Sequence, residues 1–573
     1  MSDDLTKSAS AVDVKSAAVV DEAATHTNSS SASDVEAGTT TDLRARAEKD
    51  DRGWSRSLTP RQVIMLSLGG GIGTGLWVGT GTALAMGGPG ACVVAYGLVA
   101  LAIYIEFMSI GEMTCYKPVH GGYIRQCMEY VDQAAAFAMG MNFWFSWVMI
   151  IPAEVIACIS VLQYWEAARD FPIAAYITIF LVGSALPNIF AVKIYGHAEV
   201  VGSLIKVTAI VGCMCFMFIM ASGGVAATGG PLVFTYWKNP GAFKNGVKGI
   251  SRALVQAAFS CTSAGWLAIT AGEMQQPRRT VKRSIQPLFW RMFLFYVVNI
   301  WLVGMCVPYD DPDLNNAEGT LASPFIIAVK RGGQPVLAHI LNALVFLTVL
   351  SCGVTSFYVA SRALTSMSDL GIIHGFFGKK DAKGRPVVAL VASGVLGGGL
   401  TYLNCNDTAT VVYGWFSSLK EEADMRKQVG VSSFMNWGLI YLSHIRFRAG
   451  LKSQGIDYHS LPFYNRASPW GQYLGLLLIF VFLAAELYFA LFPFGGSPTA
   501  EGFFSTYMSV PLFILDYVGY KLWFKTRIVK PKEMDFTPAF YFDEEDRLEK
   551  ETEAANPSPK LPWYRRAWRV MIG

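Results

Sequence analysis

What this sequence lacks is charge where a water-soluble protein needs it. Of 573 residues, 90 are Lys, Arg, Asp or Glu, and 37 of these lie in residues 1–60 and 525–573. The 464 residues between carry only 53, roughly 11%, against about 25% in soluble domains. Such a middle cannot furnish a polar surface, which excludes a soluble enzyme and a nucleic-acid binder. The net charge of +4 adds little, because the cations cluster by location.

Other absences narrow the chemistry. Ten cysteines are scattered through mostly apolar stretches with no Cys-x-x-Cys pair, so neither a disulfide framework nor a metal or redox centre is expected. No Gly-rich loop ends in Gly-Lys-Ser/Thr, so no ATP drive is expected. The seven histidines are isolated or in tails and loops, without His-x-x-x-His spacing in a span. No Ser nucleophile elbow or pair of catalytic carboxylates emerges. The expectation is a protein that is not an enzyme and holds no cofactor or metal. No basic stretch followed by an apolar run precedes residue 60, so no cleavable signal peptide is expected and the first span must target itself.

What is present is apolar sequence in lengths near the ~20 residues that cross a bilayer core. Twelve spans are predicted, at 61–84, 90–113, 134–165, 171–188, 196–221, 252–275, 286–308, 336–361, 387–403, 408–443, 470–492 and 503–524, here called segments 1 to 12. With the N-terminus in the cytosol, the cytosolic loops carry 15 Lys and Arg and the opposite loops 6. That bias puts both termini inside. Residues 1–60 read as a disordered cytosolic tail, poor in large hydrophobics. Residues 61–443 read as a core of ten segments, 470–524 as two more, and 525–573 as a cytosolic tail. The last opens on Lys525, Arg527, Lys530 and Lys532, a cluster suited to topology and anionic-lipid contact, and continues into the acidic patch Asp543–Asp546 in a flexible segment. Lys7, Lys15 and Lys49 are candidate attachment sites for ubiquitin ligase machinery; plain solvated charge is the competing reading.

The informative places break bilayer rules. Segment 1 contains Leu68-Gly69-Gly70-Gly71-Ile72-Gly73-Thr74-Gly75-Leu76. Five glycines in seven residues, each costing about 1 kcal/mol against Ala, make a poor helix. In lipid, unwound backbone survives only where it lines a cavity or packs in protein. It frees N–H groups for a carboxylate and carbonyls for an ammonium. Gly71, Ile72, Gly73, Thr74 and Gly75 are therefore candidate substrate-binding residues; close helix packing through small residues is the alternative. Segment 6 holds Phe259, Ser260, Cys261, Thr262 and Ser263, then Ala264, Gly265 and Trp266. This is a second predicted break, and the spacing suits segments 1–5 repeated inverted as 6–10.

Intramembrane charges are costly and are functional hypotheses by default. Glu154 lies well inside segment 3. Lys206 lies inside segment 5, two turns after Glu199. A buried lysine exchanges protons readily, so Lys206, Glu154 and Glu199 are candidate proton-coupling residues; a structural ion pair is the rival reading. Glu106 and Glu112 are expected to be interfacial or loop-anchoring, Arg291 and Arg362 topological, and Glu486 outside the core repeats.

Several motifs together resemble the fungal amino-acid permeases of the amino acid–polyamine–organocation superfamily. They are Gly70 to Leu76 with Gly79-x-Gly81-Thr82-Ala83-Leu84 and Gly87-Gly88-Pro89; Gly111-Glu112-Met113 with Pro118 and Gly121-Gly122-Tyr123; Thr270-Ala271-Gly272-Glu273 with Gln276-Pro277-Arg278-Arg279; Phe289-Trp290-Arg291; Val307-Pro308-Tyr309; and Tyr358-Val359-Ala360-Ser361-Arg362. The resemblance spans about residues 55–533. It implies an all-α integral membrane protein of twelve transmembrane helices, a five-plus-five inverted repeat with broken helices 1 and 6, and proton-coupled amino-acid uptake at the plasma membrane. It also implies that the breaks hold the substrate and that Lys206 and Glu154 match the family's segment-5 lysine and segment-3 acid.

Two departures stand out. The family commonly has Gly-Thr-Glu where this chain has Ser263-Ala264-Gly265, which puts the substrate range in question. Segment 10 carries six charges in Lys420–Gln428, which cannot lie in lipid; an inserted loop and a retained intron are the two readings. The rivals to amino-acid uptake are transport of a polyamine, choline or 4-aminobutyrate, a nutrient sensor that binds but barely transports, and a channel. The short tails disfavour the sensor, and the paired breaks disfavour the channel.

Overall fold

The computed structural model describes residues 58–69, 72–190, 192–261, 266–269, 271–285, 288–316, 322–405, 423–493, 503 and 507–555. Among these residues the regular structure is helical, and the β pairing is confined to one isolated parallel bridge, Leu58 to Met274. Six helices are long and apolar enough to cross a membrane: Gly79–Tyr116, Gln133–Leu162, Tyr195–Ala221, Pro277–Cys306, Pro335–Asp369 and Trp470–Leu491. Ile173–Ile189 and Val387–Tyr402 are shorter apolar helices. The chain divides into two units. One is Asp51–Asp535 with Pro557–Gly573, and the other is Met1–Asp50 with Phe536–Asn556. In the second, the described residues are 536–555, which include the helix Pro538–Ala555. The acidic patch expected to be flexible is thus helical, in a run rich in Glu and Ala, with Glu544 accepting from Arg547 one turn on.

Segment 1 folds as its glycines dictate. Pro60 opens the helix Pro60–Gly69, where a missing N–H costs nothing, and Gln62 Oε1 accepts from the backbone N–H of Thr59 at 2.9 Å. Helix stops at Gly69 and resumes at Thr74, with Gly73 extended between (φ −134°, ψ −161°). The next helix, Gly79–Tyr116, is bent at Gly88, whose φ of 80° and ψ of 168° suit a residue without Cβ. Pro89 follows, and the bend lets Gly90 N–H reach the Ala242 carbonyl at 2.7 Å. Segment 1 therefore ends at this corner, and segment 2 is Pro89–Tyr116.

The core forms where small residues let helices touch. Helix Gly246–Cys261 runs along Gly79–Tyr116, and Pro335–Asp369 runs along Gln133–Leu162. A Cβ at Gly79 would sit 2.0 Å from Gln256 Nε2, and one at Gly87 would sit 2.9 Å from the Gly249 carbonyl. Segment 10 differs from expectation. Its helix is Ala423–Ser453, so residues 423–428 are helical rather than an inserted loop, while 420–422 lie outside the described residues. The same helix carries Arg446, Arg448 and Lys452, which the sequence placed in a loop. Arg448 donates to both carboxylate oxygens of Glu112 at 2.9 Å, and this pairing lets charge continue a buried helix.

Candidate functional site

The break in segment 1 faces segment 3. Thr74 Oγ1 donates to Glu154 Oε1 at 2.7 Å, and both residues are buried, at 2% exposure each. Pro152 sits one half-turn before Glu154 in the same helix. Gly73 is closely packed: a Cβ there would lie 3.0 Å from Cys352 Sγ and 3.4 Å from Glu154 Oε1. Ile72 and Gly75 are buried beside it. Gly71 lies outside the described residues.

Segment 6 closes the other side. The Gly75 carbonyl accepts from Ser260 Oγ at 2.7 Å, and Ser260 also meets the hydroxyl of Tyr96 at 3.2 Å. A Cβ at Gly75 would fall 2.7 Å from Ser260 Cα and 2.9 Å from the Phe259 ring. Phe259 and Cys261 are buried at the end of this helix. Thr262 and Ser263 lie outside the described residues. The structure thus brings Gly73, Thr74, Gly75, Glu154, Phe259 and Ser260 together.

Lys206 and Glu199 form a second buried centre. Lys206 Nζ is 3.1 Å from Glu199 Oε1, with side-chain exposures of 1% and 4%. Glu199 Oε2 accepts from Ser351 Oγ at 2.6 Å. Segment 5 lies against the first half of segment 1, since a Cβ at Gly69 would overlap Ser203. The two centres meet at segment 8. Ser351 serves Glu199, and the next residue, Cys352, flanks Gly73 beside Glu154.

Sequence reasoning missed or misplaced several features. Arg362 is buried at 4% exposure, not a topological charge at a helix end. Its Nε donates to Glu273 Oε1 at 3.1 Å, Tyr358 donates to Glu273 Oε2 at 2.5 Å, and the guanidinium lies 3.8 Å over the Tyr358 ring. Tyr195 stacks on Tyr358 at 4.3 Å. Because Leu58 N–H also donates to the Glu273 carbonyl at 3.0 Å, this cluster ties together the chain before segment 1, the end of segment 6, segment 5 and segment 8. The motif residues Glu273, Tyr358 and Arg362 were visible, but their pairing across 85 and more positions was not.

Arg291 is likewise buried, at 2% exposure. Its electrostatic neighbours are Tyr296 and Cys261, so it lies beside the end of the segment-6 helix. The acids near segment 2 divide. Glu112 anchors a loop, accepting from Arg448 and from the Asn465 N–H, with His444 Nε2 at 3.3 Å. Glu106 is buried, at 3% exposure. His444 sits inside the segment-10 helix, not in a loop.

Apolar spanning helices, an interrupted first helix and buried charges gathered at the interruption define a polytopic membrane protein of the transporter class. The amino acid permease family model matches residues 62–533, and the chain belongs to that family. It is 32% identical over 519 residues to the general amino-acid permease GAP1 of Saccharomyces cerevisiae, covering 89% of this chain and 84% of that one. It is 34% identical to amino-acid permease GAP3 of Candida albicans over 90% of this chain and 84% of the relative. It is also 34% identical to the histidine permease of Saccharomyces cerevisiae, over 87% and 83%. These relatives are permeases, and the chain is an integral membrane transport protein rather than an enzyme.

Proposed function

We propose that this permease is a proton-coupled amino-acid importer of the plasma membrane, working by alternating access on twelve spans in a five-plus-five inverted repeat, with both termini cytosolic. The observation that carries the reading is the buried Thr74–Glu154 hydrogen bond at the break in segment 1, with the Lys206–Glu199 pair one helix away. Backbone groups at the interruption around Ile72 and Gly73 supply donors and acceptors for the carboxylate and ammonium of an amino acid. Ser260 and Phe259, with Thr262 and Ser263, complete the binding residues from segment 6.

Proton coupling follows from charge. A carboxylate at Glu154 attracts an ammonium, and protonation removes that attraction. Lys206 and Glu199 form a buried pair that is stable only while both are charged or both are neutral. A proton delivered to this pair or to Glu154 therefore alters what segments 1, 3, 5 and 8 can hold. The cluster of Glu273, Tyr358 and Arg362 closes the end of the molecule where segment 6 meets the start of segment 1. Opening there requires breaking two hydrogen bonds to one carboxylate, which makes it a gate suited to alternating access. The tails are proposed to carry ubiquitin-directed turnover, at Lys7, Lys15 and Lys49, which lie outside the described residues.

The test is uptake of a labelled amino-acid panel at pH 5 and pH 7 in a transport-deficient yeast. Accumulation above the external concentration, stronger at the lower pH and abolished by a protonophore, is expected. Equilibration without accumulation at either pH, or uptake confined to polyamines or choline, sinks the reading.

A further inference from the structure

A crevice of about 510 Å³ lies between segments 4, 8 and 9, away from the broken helices. Its walls are Leu181, Val182 and Ile189 from segment 4, Phe357 from segment 8, and Val391 and Val395 from segment 9. Val182, Val391 and Val395 are 57%, 57% and 70% exposed. In a membrane protein, valines this open face lipid, so the crevice is entered from the bilayer.

One end of the crevice is polar. Arg362, Arg385 and Asn188 line it. Arg362 spends Nε on Glu273 and Nη1 on Ser361. Asn188 is buried, its amide nitrogen donates to the Ser184 and Val354 carbonyls, and its Oδ1 has no partner among the described residues. Arg385 is held at the rim by Asp381 and the Ile189 carbonyl. The connection 370–386 above it contains Lys379, Lys380, Lys383 and Arg385 against the single acid Asp381. Lys380 pairs with Asp369 at 2.8 Å, whereas Lys379 and Lys383 have no carboxylate partner among the described residues.

We propose that this crevice is a binding site for a phospholipid with an anionic headgroup. An acyl chain lies along the valine-lined wall. The phosphate meets Arg362 Nη2, and Lys379 and Lys383 supply the remaining positive field. Three features favour a lipid over any water-borne ligand. The opening faces the hydrocarbon. Arg385 sits where the helices Ile173–Ile189 and Val387–Tyr402 end, bonded to the Ile189 carbonyl. The charge excess is of the sign that anionic leaflets attract, at about 1 kcal/mol per interfacial lysine. Arg362 gives the site a functional reach, because the same guanidinium holds Glu273. A phosphate on Nη2 braces the side chain that closes the gate cluster. The proposal rests on the membrane-embedded fold and stands whether or not transport is proton-driven.

The experiment uses the full-length protein in vesicles containing phosphatidylserine with a photoactivatable acyl chain, and maps the label by mass spectrometry. Label is expected on residues 181–189 and 387–395. Unlabelled phosphatidylserine should compete at least about fivefold better than phosphatidylcholine, and Lys379→Gln with Lys383→Gln should lower phosphatidylserine labelling by about fivefold per lysine. Val391→Trp, at a lipid-exposed position, should abolish the label in segment 9 while leaving the gel-filtration profile unchanged. Equal competition by the two lipids, labelling untouched by the lysine changes, or label spread over the whole lipid-facing surface would each overturn the proposal.

Discussion

Thr74 donates its hydroxyl hydrogen to Glu154 across 2.7 Å, and this one bond joins the broken helix to segment 3 at a depth where bare charge is costly. Hydrogen bonds to charged groups contribute about 1.5–3 kcal/mol. Thr74→Val removes the donor and keeps the shape. The apparent affinity for amino acid is expected to weaken by roughly 10-fold or more, as measured by competition against labelled substrate. An unaltered half-saturation constant counts against a substrate-facing Thr74.

Glu154→Gln preserves an acceptor for Thr74 but removes the ionisable oxygen. Uptake in this variant should lose its dependence on external pH, whatever rate survives. A pH profile parallel to the parent's would show that the coupling proton travels elsewhere.

Lys206→Ala strands Glu199 in a buried site, a loss of about 3–5 kcal/mol. Thermal stability in detergent should drop and accumulation should cease, while exchange of external for internal amino acid persists. Pairing Lys206→Met with Glu199→Gln should restore the stability and not the accumulation. Recovery of both would make the pair structural.

Gly75→Ala tests the seam between the two broken segments. The added methyl has to enter space held by Ser260 Cα at 2.7 Å, and backbone cannot swing aside. Uptake is expected to fall below detection with protein still at the cell surface. A surface-expressed variant of normal affinity would mean that segments 1 and 6 separate easily here.

His120 offers a pH test outside the spans. Burial, then Lys380, Arg125 and Arg362, press its imidazole well below the usual histidine range, and its Nε2 lies 2.7 Å from Ser366 Oγ. Unfolded, the ring titrates near the ordinary ~6.5. The unfolded chain therefore binds a proton that the folded one refuses, so the contribution is complete above about pH 6.5 and is lost as pH falls below it. His120→Gln should flatten the decline in melting temperature between pH 7 and pH 5.

The membrane character, the break in segment 1 and the buried positions of Lys206, Glu154 and Glu199 were legible because lipid makes glycine runs and charges conspicuous. Phe259 and Ser260 could be named for the same reason. What stayed hidden were partners. Nothing local pairs Glu273 with Arg362, or Glu112 with Arg448 more than 300 positions away. Arg291 and Arg362 were read as topological since a single charge near a span end looks alike whether it points to water or inward. The helical backbone of 423–428 was unexpected, because a charge count measures exposure to lipid and not the reach of a helix beyond it.

Ser351 and Cys352 are neighbours on one helix, yet one serves the acid of segment 5 and the other lies beside the acid of segment 3. Successive helical residues diverge by about 100°, so segment 8 stands like a cam between two followers. Any turn of this helix therefore moves the hydroxyl held by Glu199 and the thiol beside Gly73 and Glu154 together.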